Sequence, residues 1–281
     1  MDYDIELRER FLAIVLLDLI GSTAFVQKVG ALKSAQWLQY HDRLARSLVY
    51  RFGGREIDRS DGFLLSFDRT IDAVNFALHY QKTVPEKIKL NARIGIHYGK
   101  IVEVKQDELL VGVGAKQVEL EGINKNITAR VMSICRKGQV LMTQEAMMNV
   151  RNRTNSFTPR NTRFACVGLY LFKGVRQPMQ VYAVGESIDS LQPPKGTDKV
   201  KRLGGPKYIQ SKLREKELKE WVDWFLWRLG ILASLFWIVI ISNVLMYKKN
   251  RIIFGIDHYP YKFIGELIYS LCHFLKGLID V

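Results

Sequence analysis

The chain has 281 residues, 48% of them hydrophobic and 11% aromatic, with a formal net charge of +14. That composition excludes wholesale disorder and leaves room for one domain of ordinary size with an appendage. Much of the positive charge follows residue 194, in Lys195, Lys199, Lys201, Arg202, Lys207, Lys212, Arg214, Lys216 and Lys219. It therefore describes a linker more than the folded part. Cys135, Cys166 and Cys272 are too few and too scattered for a disulfide framework or a zinc site, and fit a reducing compartment. The first six residues are acidic and carry no apolar signal region, so secretion is not expected.

Phe11 to Asp18 is an apolar run short enough for a buried strand and ended by a carboxylate. Gly21-Ser22-Thr23 reads as a turn and helix start, and a helical pattern then extends to about Phe52, broken near Gly30. Gly53-Gly54 turns into a second strand, Ser60-Asp61-Gly62 bends, and Phe63 to Phe67 forms a third. Thr70 to Lys82 carries Ala73, Phe76, Ala77 and Tyr80 on one helical face. Leu90 to Tyr98 alternates as a strand, with Gly99 expected to begin its return as Lys100 to Val104. A helix near 122–135, a strand at 139–143, a further helix and late strands end the domain near Gly185. The order predicts an α+β, ferredoxin-like antiparallel sheet with helices on one face.

Residues 187–228 read as a basic linker, rich in Pro, Gly and Lys to about Gln210, followed by a charged amphipathic helix. Leu229 to Tyr247 is apolar apart from Ser234, Ser242 and Asn243, and at about 1.5 Å per residue covers about 28 Å. Trp221, Trp224 and Trp227 before it, and Tyr247-Lys248-Lys249 at its far end, suit the two interfaces of a membrane. The prediction is one transmembrane helix at 229–247. In the 248–281 tail, Ile264, Leu267, Ile268, Leu271, Phe274, Leu275 and Leu278 recur at helical spacing, as in a helix lying at an interface or on a partner.

Two carboxylates stand out by placement. Asp18 ends a buried strand just before a helix start, and Asp61 sits in a bend between strands expected to lie nearby. Paired carboxylates beside free helix N–H groups are what hard metal ions on a nucleoside triphosphate need. An aspartate at a strand end equally caps a helix or turns the chain.

The segments AIVLLDLIGSTAFV, GGREIDRSDGFLLSFD, ARIGIHYGKI, GINKNITARVMS and FKGVRQPMQVYAV occur in this order. Together they resemble the successive signature segments of class III adenylate and guanylate cyclases over roughly residues 8–185, so 1–186 is read as the catalytic domain. The resemblance implies Asp18 and Asp61 as ligands of two divalent metal ions, Mg or Mn. It implies Leu19, Ile20, Gly21, Ser22 and Thr23 as the backbone segment at the triphosphate. Asn126 and Arg130 match the pair that holds the ribose and the transition-state phosphate, and Lys173 matches a lysine on the terminal phosphates. In this family the aspartates come from one subunit and the Asn/Arg pair from the other, so the resemblance implies a homodimer with sites at its interface.

The base-reading positions depart from the adenylate cyclase pattern. Where a purine-reading lysine stands a few residues before the second aspartate, this chain has Ile57 and Asp58, and the glycine before that aspartate is Ser60. Glu119 takes the second base position; it reads as an acceptor for an exocyclic amine or as a solvated surface residue. This altered segment is similar to that of bacterial anti-phage cyclases that make cyclic UMP or cyclic CMP and signal to a separate cyclic-nucleotide effector. The alternatives are an adenylate or guanylate cyclase and, of another class, a degenerate membrane-bound scaffold. Nucleic acid is not expected as a partner, because strands such as 11–18 are too uniformly apolar to carry interleaved aromatics and arginines. The need for nucleoside triphosphate places the domain on the cytoplasmic side of the cell membrane, held by a single pass.

Overall fold

The computed structural model describes residues 6–60, 62–151, 159 and 161–254, of which 243–254 as backbone alone. Asp61 and the tail beyond residue 254, with its expected amphipathic helix, lie outside the described residues. Two compact units emerge, Met1–Lys212 and Leu213–Val281.

β1 (Glu6–Ile20) opens the first unit, five residues earlier than the apolar run alone suggests. A left-handed Gly21 then leads into α1 (Ser22–Val29) and α2 (Ala31–Arg51). The hairpin of β2 (Arg55–Arg59) and β3 (Gly62–Phe67) precedes α3 (Thr70–Ile88) and β4 (Asn91–Lys105). After a short α4 (Glu108–Gly112) come β5 (Val118–Glu121), α5 (Ile123–Ile134), β6 (Val140–Thr143) and α6 (Gln144–Arg151). The sheet is completed by β7 (Arg163–Phe172), β8 (Met179–Gly185) and β9 (Val200–Gly204), and α7 spans Pro206–Phe254.

Strand order is β2-β3-β1-β4-β6-β8-β7-β9, with β5 paired to β4 off this path. The ladders are antiparallel except the parallel β4–β6 pair. The central strands are apolar on both sides because both sides are covered. Ala13, Val15 and Leu17 of β1 pack with Ala92, Ile94 and Ile96 of β4 against α2, α3 and α6. Their neighbours Leu12 and Ile14 face the other way, with Ile57, Ile101 and Leu120. On that second side α5 buries Ile127, Val131 and Ile134 against Leu141, Tyr170, Phe172 and Ala183.

Three sequence expectations change. The helices do not all share one face, since α5 lies opposite α2, α3 and α6. Gly99 is not a turn, because β4 runs through it without a break. A glycine is required there by close approach: a Cβ would meet the Asn124 side chain at 2.6 Å, just as one on Gly95 would meet the Met132 backbone nitrogen at 2.5 Å. Finally, part of the stretch read as a linker is ordered against the domain, with β9 adding an edge strand to β7.

The charged helix and the apolar stretch form one uninterrupted element, α7. Pro206–Ser242 is long and apolar enough to cross a membrane, with a mean hydropathy of 2.0 in its best 18-residue window.

Candidate active site

Asp18 is the penultimate residue but one of β1, and its alternation with Leu17 and Leu19, both in the α2/α3 core, turns it to the α5 side of the sheet. There it meets Arg93, its cross-strand neighbour on β4. Arg93 donates from Nε (2.9 Å) and Nη2 (2.6 Å) to Asp18 Oδ2, leaving the carboxylate about one-fifth exposed. On its other flank Asp18 pairs with Gly62, the residue after Asp61 in the chain. A Cβ at Gly62 would fall 2.0 Å from the Leu17 carbonyl, so only glycine lets β3 close onto β1 at this point.

Leu19 buries its side chain in the core and presents main chain only. Gly21, at φ 82°, swings the backbone from strand into α1, whose first bond runs from the Phe25 N–H to the Gly21 carbonyl. The N–H groups of Ser22, Thr23 and Ala24 therefore have no partner within the helix and form a site for an anion beside Asp18. An acceptor-only carboxylate with open N–H donors beside it suits a hard divalent ion that takes its remaining oxygens from phosphate and water. Among the described residues no group of three or more His, Cys, Asp or Glu gathers, so a closed protein cage for a metal is not what these residues offer.

Arg59, two residues before Asp61, is held firmly. It donates to Asp42 at 3.0–3.2 Å and to the Ser60 carbonyl at 2.6 Å, and lies over the Phe63 ring at 4.9 Å. Asp42 in turn bonds His41, whose other ring nitrogen meets the buried Tyr80 hydroxyl at 2.5 Å. This chain from α3 through α2 fixes the β2 end of the bend.

On α5, Asn126 is exposed and Arg130 half-buried, one turn apart along the helix. Arg130 Nε is buried with no hydrogen-bond partner among the described residues, an uncommon state for a guanidinium nitrogen. Lys173 sits in the turn after β7, where the Val175 N–H bonds the Phe172 carbonyl and Gly174 takes the φ of +88° that such a turn needs. Glu119 on β5 has no ion-pair or hydrogen-bond partner among the described residues, while Asp58 pairs with Lys116 at 2.7 Å. Ile57 is 9% exposed, packed with Leu12, Ile14, Ile101 and Leu120 at a bulge in β2.

The register separates Asp18 from Lys173. Asp18 lies level with Arg93 near the start of β4. Through Ile96–Met142, Met142–Tyr182 and Tyr170–Met179, Lys173 falls level with the far half of β4. At about 3.3 Å per residue the two are separated by roughly 30 Å along the strands. One chain thus brings Asp18 to the N–H groups of α1 and presents Lys173 far along the strands, while α5, packed on Gly95 and Gly99 of β4, carries Arg130 and Asn126 between those two levels.

Arg93 is the functional candidate the sequence reading passed over. Its signal was an arginine inside the otherwise apolar alternation of 92–96. The buried His97 is structural: its ring nitrogens meet Thr143 Oγ1 (2.8 Å) and Asn124 Oδ1 (2.9 Å) and tie α5 to β4 and β6. Burial holds the pKa of both His97 and His41 below the usual 6.5, outweighing the opposing pull of Asn124 and Asp42 respectively. The unfolded chain then binds more protons than the folded one below that pH. Stability is complete above about pH 6.5 and falls as pH drops through the window beneath it. Thermal unfolding of the full chain is expected to shift to lower temperature between pH 7 and pH 5, with a smaller shift in His97→Gln.

The sequence profile of the adenylate and guanylate cyclase catalytic domain matches residues 9–186, and the chain belongs to that family. Among solved structures, the adenylyl cyclase CyaB from P. aeruginosa is 17% identical with a TM-score of 0.56, the alignment covering 66% of this chain and 99% of that one. An adenylate cyclase from Trypanosoma brucei, in its monomeric state, is 20% identical with a TM-score of 0.54, over 69% and 95% of the two chains. The guanylate cyclase domain of RhGC from Catenaria anguillulae, in complex with GTP, is 17% identical with a TM-score of 0.53, over 63% and 97%. At these identities the likeness shows the fold alone. No curated protein matches the sequence.

Proposed function

We propose that the chain is a membrane-anchored nucleotidyl cyclase that converts UTP or CTP to the 3′,5′-cyclic nucleotide and pyrophosphate, working as a homodimer in bacterial anti-phage signalling. The observation that carries the cyclase reading is the set of uncommitted groups. Among the described residues the side chains of Asn126, Lys173 and Glu119 and the Arg130 Nε lack partners, whereas the charged side chains of β1, β2 and β4 are paired.

The 3′-hydroxyl oxygen forms a bond to the α-phosphorus in line as the bond to the β-phosphate oxygen breaks, the hydroxyl proton passes to solvent, and pyrophosphate leaves. Asn126 orients the ribose for attack, and Arg130 meets the charge that grows on the α-phosphate. Lys173 neutralises the terminal phosphates, and the N–H groups of Ser22 and Thr23 hold the phosphate chain. Asp18 and Asp61 would hold two divalent ions, Mg or Mn, which when bound lower the pKa of the attacking hydroxyl and offset polyphosphate charge. Because Asp18 and Lys173 are roughly 30 Å apart along the sheet, a complete site takes its aspartates from one copy and Lys173 from another, which would also supply Asn126 and Arg130 as the family resemblance implies.

The pyrimidine reading rests on the base positions. Ile57 offers no hydrogen bond and is packed away, so the purine-reading lysine has no counterpart there. Glu119 remains free to accept from an exocyclic amine. The apolar span of α7 supports anchoring, which raises the effective concentration of dimer partners; the cyclic nucleotide then acts on a separate effector.

The test is product formation by the full chain in detergent with Mn²⁺ and each of ATP, GTP, CTP and UTP, resolved by chromatography and mass, with Asp61→Ala as the control. Cyclic UMP or CMP, absent in the control, is the expected result. Cyclic AMP or GMP would sink the pyrimidine reading and keep the cyclase. No product from any nucleotide, with the dimer intact, would favour a non-catalytic scaffold.

A further inference from the structure

Residues 187–204 lie beyond the stretch matched to the cyclase family, yet they are tied to the domain at several points. The buried Gln139 side chain donates to the Ser190 and Gln192 carbonyls at 2.9 and 2.8 Å. The Tyr170 hydroxyl donates to the Pro194 carbonyl at 2.9 Å. β9 then pairs with β7 through Leu171–Lys201 and Phe172–Val200, and one step further the Lys173 N–H donates to the Lys199 carbonyl at 2.9 Å.

Residues opposite each other in an antiparallel ladder point to the same side. Phe172 and Val200, the last pair of that ladder, are both buried in the α5 core, and Lys173 and Lys199 follow in the turns just beyond it, joined by that main-chain bond. Lys173, Arg176, Lys199 and Lys201 line one cleft of about 380 Å³, in which Asp198 is the single acid. Among the described residues none of these four cations makes an ion pair. Like charges gathered in one cleft repel, and a multivalent anion between them reverses the sign.

We propose that Lys199, delivered by β9, is a second lysine of the triphosphate site, acting beside Lys173 on the terminal phosphates; this rests on the cyclase reading above. The ligand class is a linear polyphosphate, whose repeated charges match a row of cations better than a single phosphate does. The main-chain bond from Lys173 to Lys199 also fixes the turn that carries Lys173, so β9 both adds a charge and sets the reach of its neighbour.

The test titrates inorganic tripolyphosphate into the full chain in detergent by calorimetry and measures KM and kcat with the preferred nucleotide. Lys199→Ala keeps the carbonyl that anchors the turn, and amide exchange at Lys173 checks that β9 stays docked. Tripolyphosphate affinity is expected to fall about tenfold, with KM rising and kcat little changed. Lys199→Arg is expected to restore it, and Lys195→Ala, an exposed lysine outside the cleft, to leave it as in the wild type. Wild-type affinity in Lys199→Ala would overturn the proposal, as would an equal loss in Lys195→Ala, which would mean long-range charge only. An effect seen with anionic lipid in place of tripolyphosphate would also overturn it. Tripolyphosphate binding that depends on Lys199, with no cyclic product from any nucleotide, would support the lysine's role and remove the cyclase reading alone.

Discussion

Asp18→Ala is expected to reduce cyclic-nucleotide formation by about 10³-fold or more, while the protein still folds. A metal-held carboxylate supports several kcal/mol of charge stabilisation in the transition state, and each 1.4 kcal/mol is about a factor of ten in rate. The fold survives because Asp18 lies at the end of β1, about one-fifth exposed, outside the core that runs through Val15 and Leu17. Its loss frees Arg93 from the two bonds it donates, into a position already part-exposed to water. The decisive measurement is Mn²⁺ binding, followed by electron paramagnetic resonance in the presence of a nucleotide lacking the 3′-hydroxyl. Binding should weaken sharply in Asp18→Ala. Full activity and unaltered Mn²⁺ binding in that variant would show that Asp18 is only a strand-end residue.

Arg130→Ala carries the second large effect, a fall in kcat of about 10²–10³-fold with little change in KM or in melting temperature. The stability argument is specific to this residue. Its Nε is buried without a partner, so truncation removes an unsatisfied group and breaks no hydrogen bond there. The kinetic argument is tested further by mixing. Asp18→Ala and Arg130→Ala chains, each inactive alone, form a mixed pair in which one site holds both lesions and the other holds neither. With random pairing about a quarter of wild-type activity should return. No recovery, with subunit exchange demonstrated, would mean that Asp18 and Arg130 serve the same site from one chain.

What the sequence offers of the candidate site is written in local words. A carboxylate closing an apolar strand, a Gly-Ser-Thr helix start and an Asn and Arg one turn apart are each visible without a structure. What escaped depends on register. Arg93 faces Asp18 only because β1 and β4 pair over fifteen residues, and nothing within 90–98 announces that partner. Gly99 looked like a turn because glycine punctuates most chains; its actual cause, the approach of Asn124 from α5, is a contact across 25 positions of sequence. The docking of 187–204 was hidden by composition. Pro, Gly and Lys describe a linker well, while Gln139 and Tyr170, which hold this one down, sit elsewhere in the chain. Ile57 was legible as an absence of lysine, but its packing beneath the sheet was not.

The glycines under α5 have a wider consequence. The standoff between this helix and β4 is gauged by two missing methyl groups, at Gly95 and Gly99, with backbone of Met132 and the Asn124 amide filling the space. Any side chain there must lift the rod on which Asn126 and Arg130 ride, and a lift of even an ångström moves both with respect to the nucleotide they are proposed to hold. Such a position has no chemistry of its own and touches no ligand. Random mutagenesis scored for lost product would nevertheless strike it repeatedly, and the hits would mimic active-site lesions while leaving every reactive group in place.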